Sequence, residues 1–250
     1  MPSVADDLVY AADPVTWAKE VLGYHPDPWQ ADLLRSRSRK IILNCSRQSG
    51  KSTTCAALGL HESIYRRPSF GLVIAPSQDQ SAELMMKFDE FRGAVELPSD
   101  YLSTDTKLAV KFANGNRFVA RPGSEKTARS FSAVTLLLED EAARVSDALY
   151  NSVRPMLAVS NGRHILMSTP FGKLNHFFKI WDQELDIWQW FEIPAEQCPR
   201  ITKEFLEEEK RTNPWFEQEY HCVFMESEGA IFSSDLFRSL ANPSVSAMQI

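Results

Sequence analysis

Ile41-Ile42-Leu43-Asn44-Cys45-Ser46-Arg47-Gln48-Ser49-Gly50-Lys51-Ser52-Thr53 is the stretch that decides the fold of this chain. It begins as a short apolar run and ends by opening a helical pattern that continues to about Tyr65. A Gly-Lys-Ser loop between a buried strand and a helix is the context of a phosphate-binding loop. Backbone N–H groups at the start of such a helix cradle phosphate oxygens, and the helix dipole favours the negative charge. Lys51 can reach the β- and γ-phosphates of ATP, and the Ser52 hydroxyl can be offered to Mg²⁺. The expected nucleotide-binding set is therefore Ser46, Arg47, Gln48, Ser49, Gly50, Lys51, Ser52 and Thr53. The standard pattern opens with Gly, and here Cys45 stands in that place.

Outward from this loop, short apolar runs alternate with helical patterns. Leu72-Val73-Ile74-Ala75, Val134-Thr135-Leu136-Leu137-Leu138 and Ile165-Leu166-Met167 are, like Ile41-Ile42-Leu43, apolar on both faces and bounded by polar or turn residues. Buried parallel strands have this pattern. Helical candidates lie between them, roughly at Lys51–Tyr65, Gln78–Arg92, Ser146–Leu157 and Leu174–Glu184. The alternation predicts an α/β fold with a mostly parallel central sheet flanked by helices, and the phosphate-loop motif at its head makes the expected class a P-loop NTPase of the RecA/ASCE-like kind. Leu108–Phe112 and Arg117–Ala120 alternate instead, around Ala113-Asn114-Gly115-Asn116, and predict an inserted antiparallel hairpin that extends the sheet edge. Residues after Pro199 read as Glu-rich and helical to about Tyr220. The expected organisation is an adenine-side segment at 1–35, an ATPase core at 36–225 and the start of a linker at 226–250.

The run Val134–Leu138 leads into Glu139-Asp140-Glu141. Carboxylates at the C-terminal edge of an open α/β sheet lie where ligands of such sheets bind. Asp140 is expected to hold the Mg²⁺ shell and Glu141 to act as general base on the attacking water. An acidic pair after a strand is also a common solvated loop; Lys51 upstream favours the site. Ser168-Thr169-Pro170 ends the next apolar run and could sense the γ-phosphate, or be simply a turn. Gln30, in Pro26-Asp27-Pro28-Trp29-Gln30, has an amide that both donates and accepts, which suits an adenine edge. Arg47 can reach the γ-phosphate of its own site, and Arg129 is a candidate arginine finger in cis or from a neighbouring subunit, with Arg144 as competitor. A surface salt bridge is the competing reading for each arginine.

The chain has 250 residues, a formal net charge of −6 and 44% hydrophobic residues, which suits one α/β domain with a sizeable core. The charge is uneven: the segment Glu192–Glu228 holds ten acids and four bases, and residues 1–191 are balanced. Charge alone therefore does not indicate a nucleic-acid surface. The basic run Arg35, Arg37, Arg39 and Lys40 could touch phosphates, but reads as a solvated loop. No apolar run reaches the ~20 residues that span a bilayer, and the N-terminus lacks the pattern of a signal peptide. The four cysteines (Cys45, Cys55, Cys198 and Cys222) form no Cys-x-x-Cys pair, which fits a reducing compartment better than a zinc or disulfide framework.

Taken together, Ser-Arg-Gln-x-Gly-Lys-Ser, Leu-Leu-Leu-Glu-Asp-Glu-Ala-Ala and Ser-Thr-Pro-Phe-Gly resemble the large terminase subunit of tailed bacteriophages. The upstream Pro-Trp-Gln and the tail Glu217-Gln218-Glu219-Tyr220 with Glu228-Gly229-Ala230-Ile231-Phe232 fit it too. The resemblance runs from about Pro14 to Phe237. It implies a motor that hydrolyses ATP with Mg²⁺ to move double-stranded DNA into a procapsid in the host cytoplasm. It also implies a homo-oligomeric ring, a pentamer, on the portal protein, monomeric when isolated, served by a small terminase subunit and in contact with no membrane. By this likeness Arg47, Lys51, Asp140 and Glu141 take the ATPase roles, Ser168-Thr169-Pro170 couples hydrolysis to movement, and Arg129 acts in trans. The nuclease domain that the family carries would lie beyond residue 250. Two other readings share these motifs: a helicase-like translocase or remodelling ATPase, and an assembly module that uses ATP as a switch without hydrolysing it.

Overall fold

The computed structural model describes residues 3–98, 100–122 and 131–226. Strand β1 (Lys40–Cys45) enters the loop and helix α4 (Lys51–Tyr65) leaves it. Ahead of them come α1 (Val4–Ala12), α2 (Pro14–Glu20) and α3 (Pro28–Arg35). After α4 follow β2 (Phe70–Ala75), α5 (Gln78–Ala94), β3 (Leu102–Thr106), β4 (Ala109–Phe112), β5 (Arg117–Pro122) and β6 (Leu136–Asp140). The chain continues through α6 (Asp147–Val153), β7 (Arg163–Ser168), α7 (His176–Gln183), β8 (Gln189–Ile193), α8 (Lys203–Thr212) and α9 (Phe216–Tyr220).

The strands form one sheet in the order β3-β4-β5-β2-β6-β7-β1-β8. From β5 to β8 every pairing is parallel. β7 lies between the loop strand β1 and the acid-bearing strand β6, with Asn44 opposite Ser168 and Met167 opposite Asp140. Loop, acids and Ser168 therefore share one edge of the sheet. Alternation along each strand divides the core. Ile41, Leu43, Val73 and Leu138 pack with α2 to α5 on one face. Leu72, Ile74 and Leu137 meet α6 on the other, where Ile42 and Leu166 meet α7. The result is a three-layer sandwich, as the apolar-on-both-faces runs require.

The hairpin β4–β5 is antiparallel and extends the sheet as expected. Gly115 takes a φ of 88° in its turn, and Asn116 is buried beside it. The Asn116 amide accepts from the Ser69 N–H and donates to the carbonyls of Ser63 and Arg66, so the turn is fastened to the end of α4. Phe118 stacks on Phe88 and fills the space left by the missing side chains of Gly59 and Gly71; a Cβ on Gly71 would lie 2.2 Å from its ring.

Two features differ from the expectation. The third apolar run becomes strand at Leu136–Asp140, two residues later than its sequence start, so Asp140 is a strand residue and Glu141 the first residue after it. Two edge strands, β3 and β8, are additional. Their half-exposed, mixed residues carry none of the double-faced apolarity that marks the inner strands. The region 226–250 lies outside the described residues except for Glu226.

Candidate nucleotide site

The loop leaves β1 with its backbone anchored at two points. Ser46 N–H donates to the Ile193 carbonyl and Arg47 N–H to the Glu219 carbonyl. Two left-handed residues, Gln48 (φ 59°) and Gly50 (φ 93°), turn the chain so that α4 begins at Lys51. Gly is required at position 50 on two grounds: its φ, and the Gln30 Nε2 that would lie 2.8 Å from any Cβ. The fifteen-residue α4 thus points its free N–H groups at the sheet edge.

The acids meet this helix start. Asp140 ends β6 almost fully buried; its Oδ2 accepts from the Ser52 hydroxyl at 3.1 Å and its Oδ1 from the Glu141 N–H at 3.0 Å. Glu141 adopts a left-handed φ of 50°, uncommon for a residue with a side chain. That turn aims its carboxylate at Lys51, whose Nζ lies 2.9 Å from Oε1, while the Ser168 hydroxyl lies 3.5 Å from Oε2. Burial pushes the Asp140 carboxyl above its usual pKa, against the pull of Lys51 and Ser52. Burial opposes the charge on Lys51 as well, but Glu141 and Asp140 outweigh it and hold the ammonium above its usual pKa. A cavity of about 880 Å³ opens over these groups.

Strand alternation sends the neighbouring Glu139 to the opposite face. It is fully buried and receives His176 Nε2 at 2.7 Å and His164 Nε2 at 3.3 Å. Burial would raise its pKa, but the two histidines prevail and hold it below the usual value. Glu139 therefore ties β6 to β7 and α7 and takes no part in the cavity.

The structure brings Gln48, Ser49, Lys51, Ser52 and Thr53 to the cavity together with Asp140 and Glu141. Ser168, Thr169 and Pro170 are buried at the adjoining strand end. Three expected residues are placed otherwise. Gln30 is buried and its amide is spent internally: Oε1 accepts from the Tyr24 hydroxyl and the Asp27 N–H, each at 2.8 Å, and Nε2 donates to the Ser49 carbonyl at 3.2 Å. It closes a capping box with Asp27 on α3 and props the loop from beneath, so it presents no edge to a base. Ser46 is also buried, its hydroxyl beside the Cys198 thiol and not in the cavity. Arg47 turns outward to Glu219, 2.9 Å from its Oε1, because α9 sets a carboxylate against the outer side of the loop. Arg129 lies outside the described residues. Its competitor Arg144 lies over the Phe171 ring at 4.2 Å.

Arg200 was missed by sequence reasoning. It forks onto Asp27 at 3.1 and 2.8 Å and donates to the Ser49 carbonyl at 3.0 Å, on the wall of the cavity. No local pattern marks it, since its partners lie some 150 residues away or more. The capping box Asp27-x-x-Gln30 was legible, and it supplies a structural reason for a Gln at that position. Lys87 and Glu83, on the cavity wall from α5, were likewise unmarked.

With this geometry in place, a family profile described as terminase large subunit, T4likevirus-type, N-terminal, matches residues 42–239, well over half of the chain. The large terminase subunit of Thermus phage G20c is 29% identical over 182 residues. That match covers 64% of this chain but 37% of the relative, so the matched stretch spans well under half of the relative's length. Among solved structures, the large terminase ATPase domain of Thermus phage P74-26 superposes with a TM-score of 0.74 at 22% identity, over 85% of this chain and 99% of that one. The large terminase of bacteriophage D6E in complex with ADP superposes at 0.62 and 11% identity, over 80% and 54%. At these identities the structural matches speak for the fold.

Proposed function

Since the chain belongs to the terminase large-subunit family and matches its N-terminal part, we propose that it hydrolyses ATP to drive double-stranded DNA into a procapsid. The observation that carries this reading is the pairing of Lys51 with Glu141 at 2.9 Å and of Ser52 with Asp140 at 3.1 Å, between the start of α4 and the end of β6. The residues fit a Mg²⁺-bound triphosphate. The helix start and Lys51 suit phosphate oxygens, while Ser52 and the buried Asp140 form an all-oxygen pair suited to Mg²⁺. That ion, when bound, would neutralise charge on the β- and γ-phosphates.

Glu141 is the general base in this reading. Its partner Lys51 is also the side chain that a γ-phosphate attracts most strongly. A bound triphosphate therefore competes for the ammonium and frees the carboxylate to take a proton from water. Ser168, within reach of Glu141, supports the expected role of Ser168-Thr169-Pro170 in carrying this change to β7 and beyond. Two further roles extend the proposal. Arg47 acts if it exchanges Glu219 for phosphate, and Arg129 acts from a neighbouring subunit. The portal protein, the small terminase subunit, a pentameric ring, the host cytoplasm and the procapsid surface complete the proposed setting.

Glu141→Gln tests the reading. It should bind ATP with unchanged or higher affinity and lose turnover by about 10²-fold or more, as expected when a general base is removed. Nucleotide affinity by fluorescence and phosphate release on the same protein would check it. Normal turnover in this variant would overturn both the assignment of the base and the motor reading.

A further inference from the structure

The opposite edge of the sheet, away from the loop, carries a second cleft of about 690 Å³. Five arginines line it: Arg37 and Arg39 before β1, Arg66 and Arg67 after α4, and Arg163 at the start of β7. Glu62 is the one carboxylate among the lining residues, and it is already claimed. Buried Arg163 holds its Oε1 at 2.8 Å, and Arg66 shares that oxygen at 3.2 Å. Burial holds the pKa of His61 below its usual value, against the pull of the Tyr10 carbonyl and Glu62. Arg37, Arg39 and Arg67 are exposed and have no side-chain hydrogen bond or ion pair among the described residues. By contrast Arg35, from the same basic run, is committed to Asp13 at 2.7 and 2.9 Å.

The cleft is thus strongly positive in a chain whose net charge is −6. A site for one small oxyanion gathers converging backbone N–H groups and buried donors. Here the free donors are mainly exposed guanidinium forks on two separate segments around an open cleft, and the buried unpaired donor among them, Arg163 Nη2, belongs to a guanidinium already paired with Glu62. That arrangement fits a row of phosphates, and Arg is the side chain whose fork matches phosphate geometry. We infer that this arginine cleft is a binding site for the phosphodiester backbone of duplex DNA, with Arg37, Arg39 and Arg67 as its phosphate contacts. Contacts of this kind position DNA without reading its sequence. The inference rests on the proposed DNA-translocating function and names the surface that function uses.

The test is binding of a fluorescent 30-base-pair duplex to the full chain across a series of KCl concentrations. The comparison is between wild type, R37A/R39A/R67A, R37K/R39K/R67K and an equal-charge control, K203A/K210A/R211A, on α8. Three lost phosphate contacts should lower the slope of log affinity against log salt by about 2.7 and weaken binding by about tenfold or more near physiological salt. The lysine variant and the control should keep the wild-type slope. DNA-independent ATP hydrolysis should stay unchanged in all four proteins, which separates failure of this inference from failure of the ATPase reading. An unchanged slope in R37A/R39A/R67A, or no duplex binding by wild type, overturns the assignment. So does stabilisation of wild type by inorganic phosphate alone, lost in R37A/R39A/R67A, with equal duplex binding by both; that result would make the cleft a small-anion site.

Discussion

Asp140 and Glu141 are adjacent, and their chemistry diverges because one residue is still strand and the next has left it. Asp140 is enclosed by the sheet edge, and burial raises its pKa. A carboxyl whose pKa is raised on folding holds its proton more tightly in the fold than in the unfolded chain. Its ionisation therefore weakens the fold as pH rises through the ordinary carboxylate range. The proposed Mg²⁺-holding role of Asp140 supplies a reason for this cost, since a buried anion is what would hold the cation. Asp140→Asn removes the buried charge and keeps the acceptor for Ser52 while giving up the one for the Glu141 N–H, a smaller loss than the gain from removing a buried charge. We expect its thermal midpoint without nucleotide to equal or exceed that of wild type at pH 7, while Mg²⁺-dependent nucleotide binding falls by about tenfold or more. A midpoint lowered like that of a core cavity variant would show that the carboxylate serves the fold instead. Arg47 makes the complementary point. Its place in the loop suggests a phosphate contact, yet a carboxylate from α9 claims it in this structure.

At the scale of elements, the hairpin β4–β5 depends on close approach more than on its own propensity. Phe118 presses onto α4 and β2 where Gly59 and Gly71 leave no side chain, and it stacks on Phe88 of α5 at 4.3 Å. One aromatic ring thereby joins the added strands to the layer that carries the phosphate loop. Gly71→Ala places a methyl group 2.2 Å from that ring, and β2 cannot retreat because β5 and β6 hold it on both sides. Overpacking of this kind costs about 1–3 kcal/mol. Urea unfolding would measure it, and pairing the change with Phe118→Leu should recover part of the loss. A cost below about 0.5 kcal/mol for Gly71→Ala would mean that Phe118 moves freely and is no anchor. The sequence marked the hairpin through Asn114-Gly115-Asn116. It carried no mark of the ring contact, because the two glycines lie on α4 and β2, far from Phe118 in sequence.

At the scale of the molecule, the sheet assigns its two edges different tasks. The C-terminal edge gathers phosphate loop, acids and Ser168. The N-terminal edge gathers arginines around Glu62, and α4 and β7 run between the two. If Arg129 completes a neighbour's site, as proposed, turnover per chain should rise with protein concentration as copies meet. Steady-state ATP hydrolysis from nanomolar to tens of micromolar protein would check this. Mixing Arg129→Ala with Lys51→Ala should then restore activity that neither has alone, because one chain keeps an intact loop and the other an intact arginine. A constant rate per chain and no restoration would place the completing arginine in cis.

The amino-acid sequence determined the fold class, the succession of inner strands and helices along the chain, and the groups that meet between the start of α4 and the end of β6. Those features depend on local periodicity and on short motifs, which the chain carries whatever surrounds them. Lys51, Ser52, Asp140 and Glu141 could be named because strand, loop and helix signals fall next to them. Tertiary structure alone decided which side chains are already occupied. Gln30 is spent on Asp27, Tyr24 and the Ser49 carbonyl, Arg47 is taken by Glu219, and Glu139 is turned to two histidines. It also brought Arg200 onto the loop and gathered Arg37, Arg39 and Arg67 around one cleft. The physical reason is common to all of these. A side chain's chemistry is set by the partner it meets, and those partners come from elements that only the closed sheet and its packed helices bring within reach.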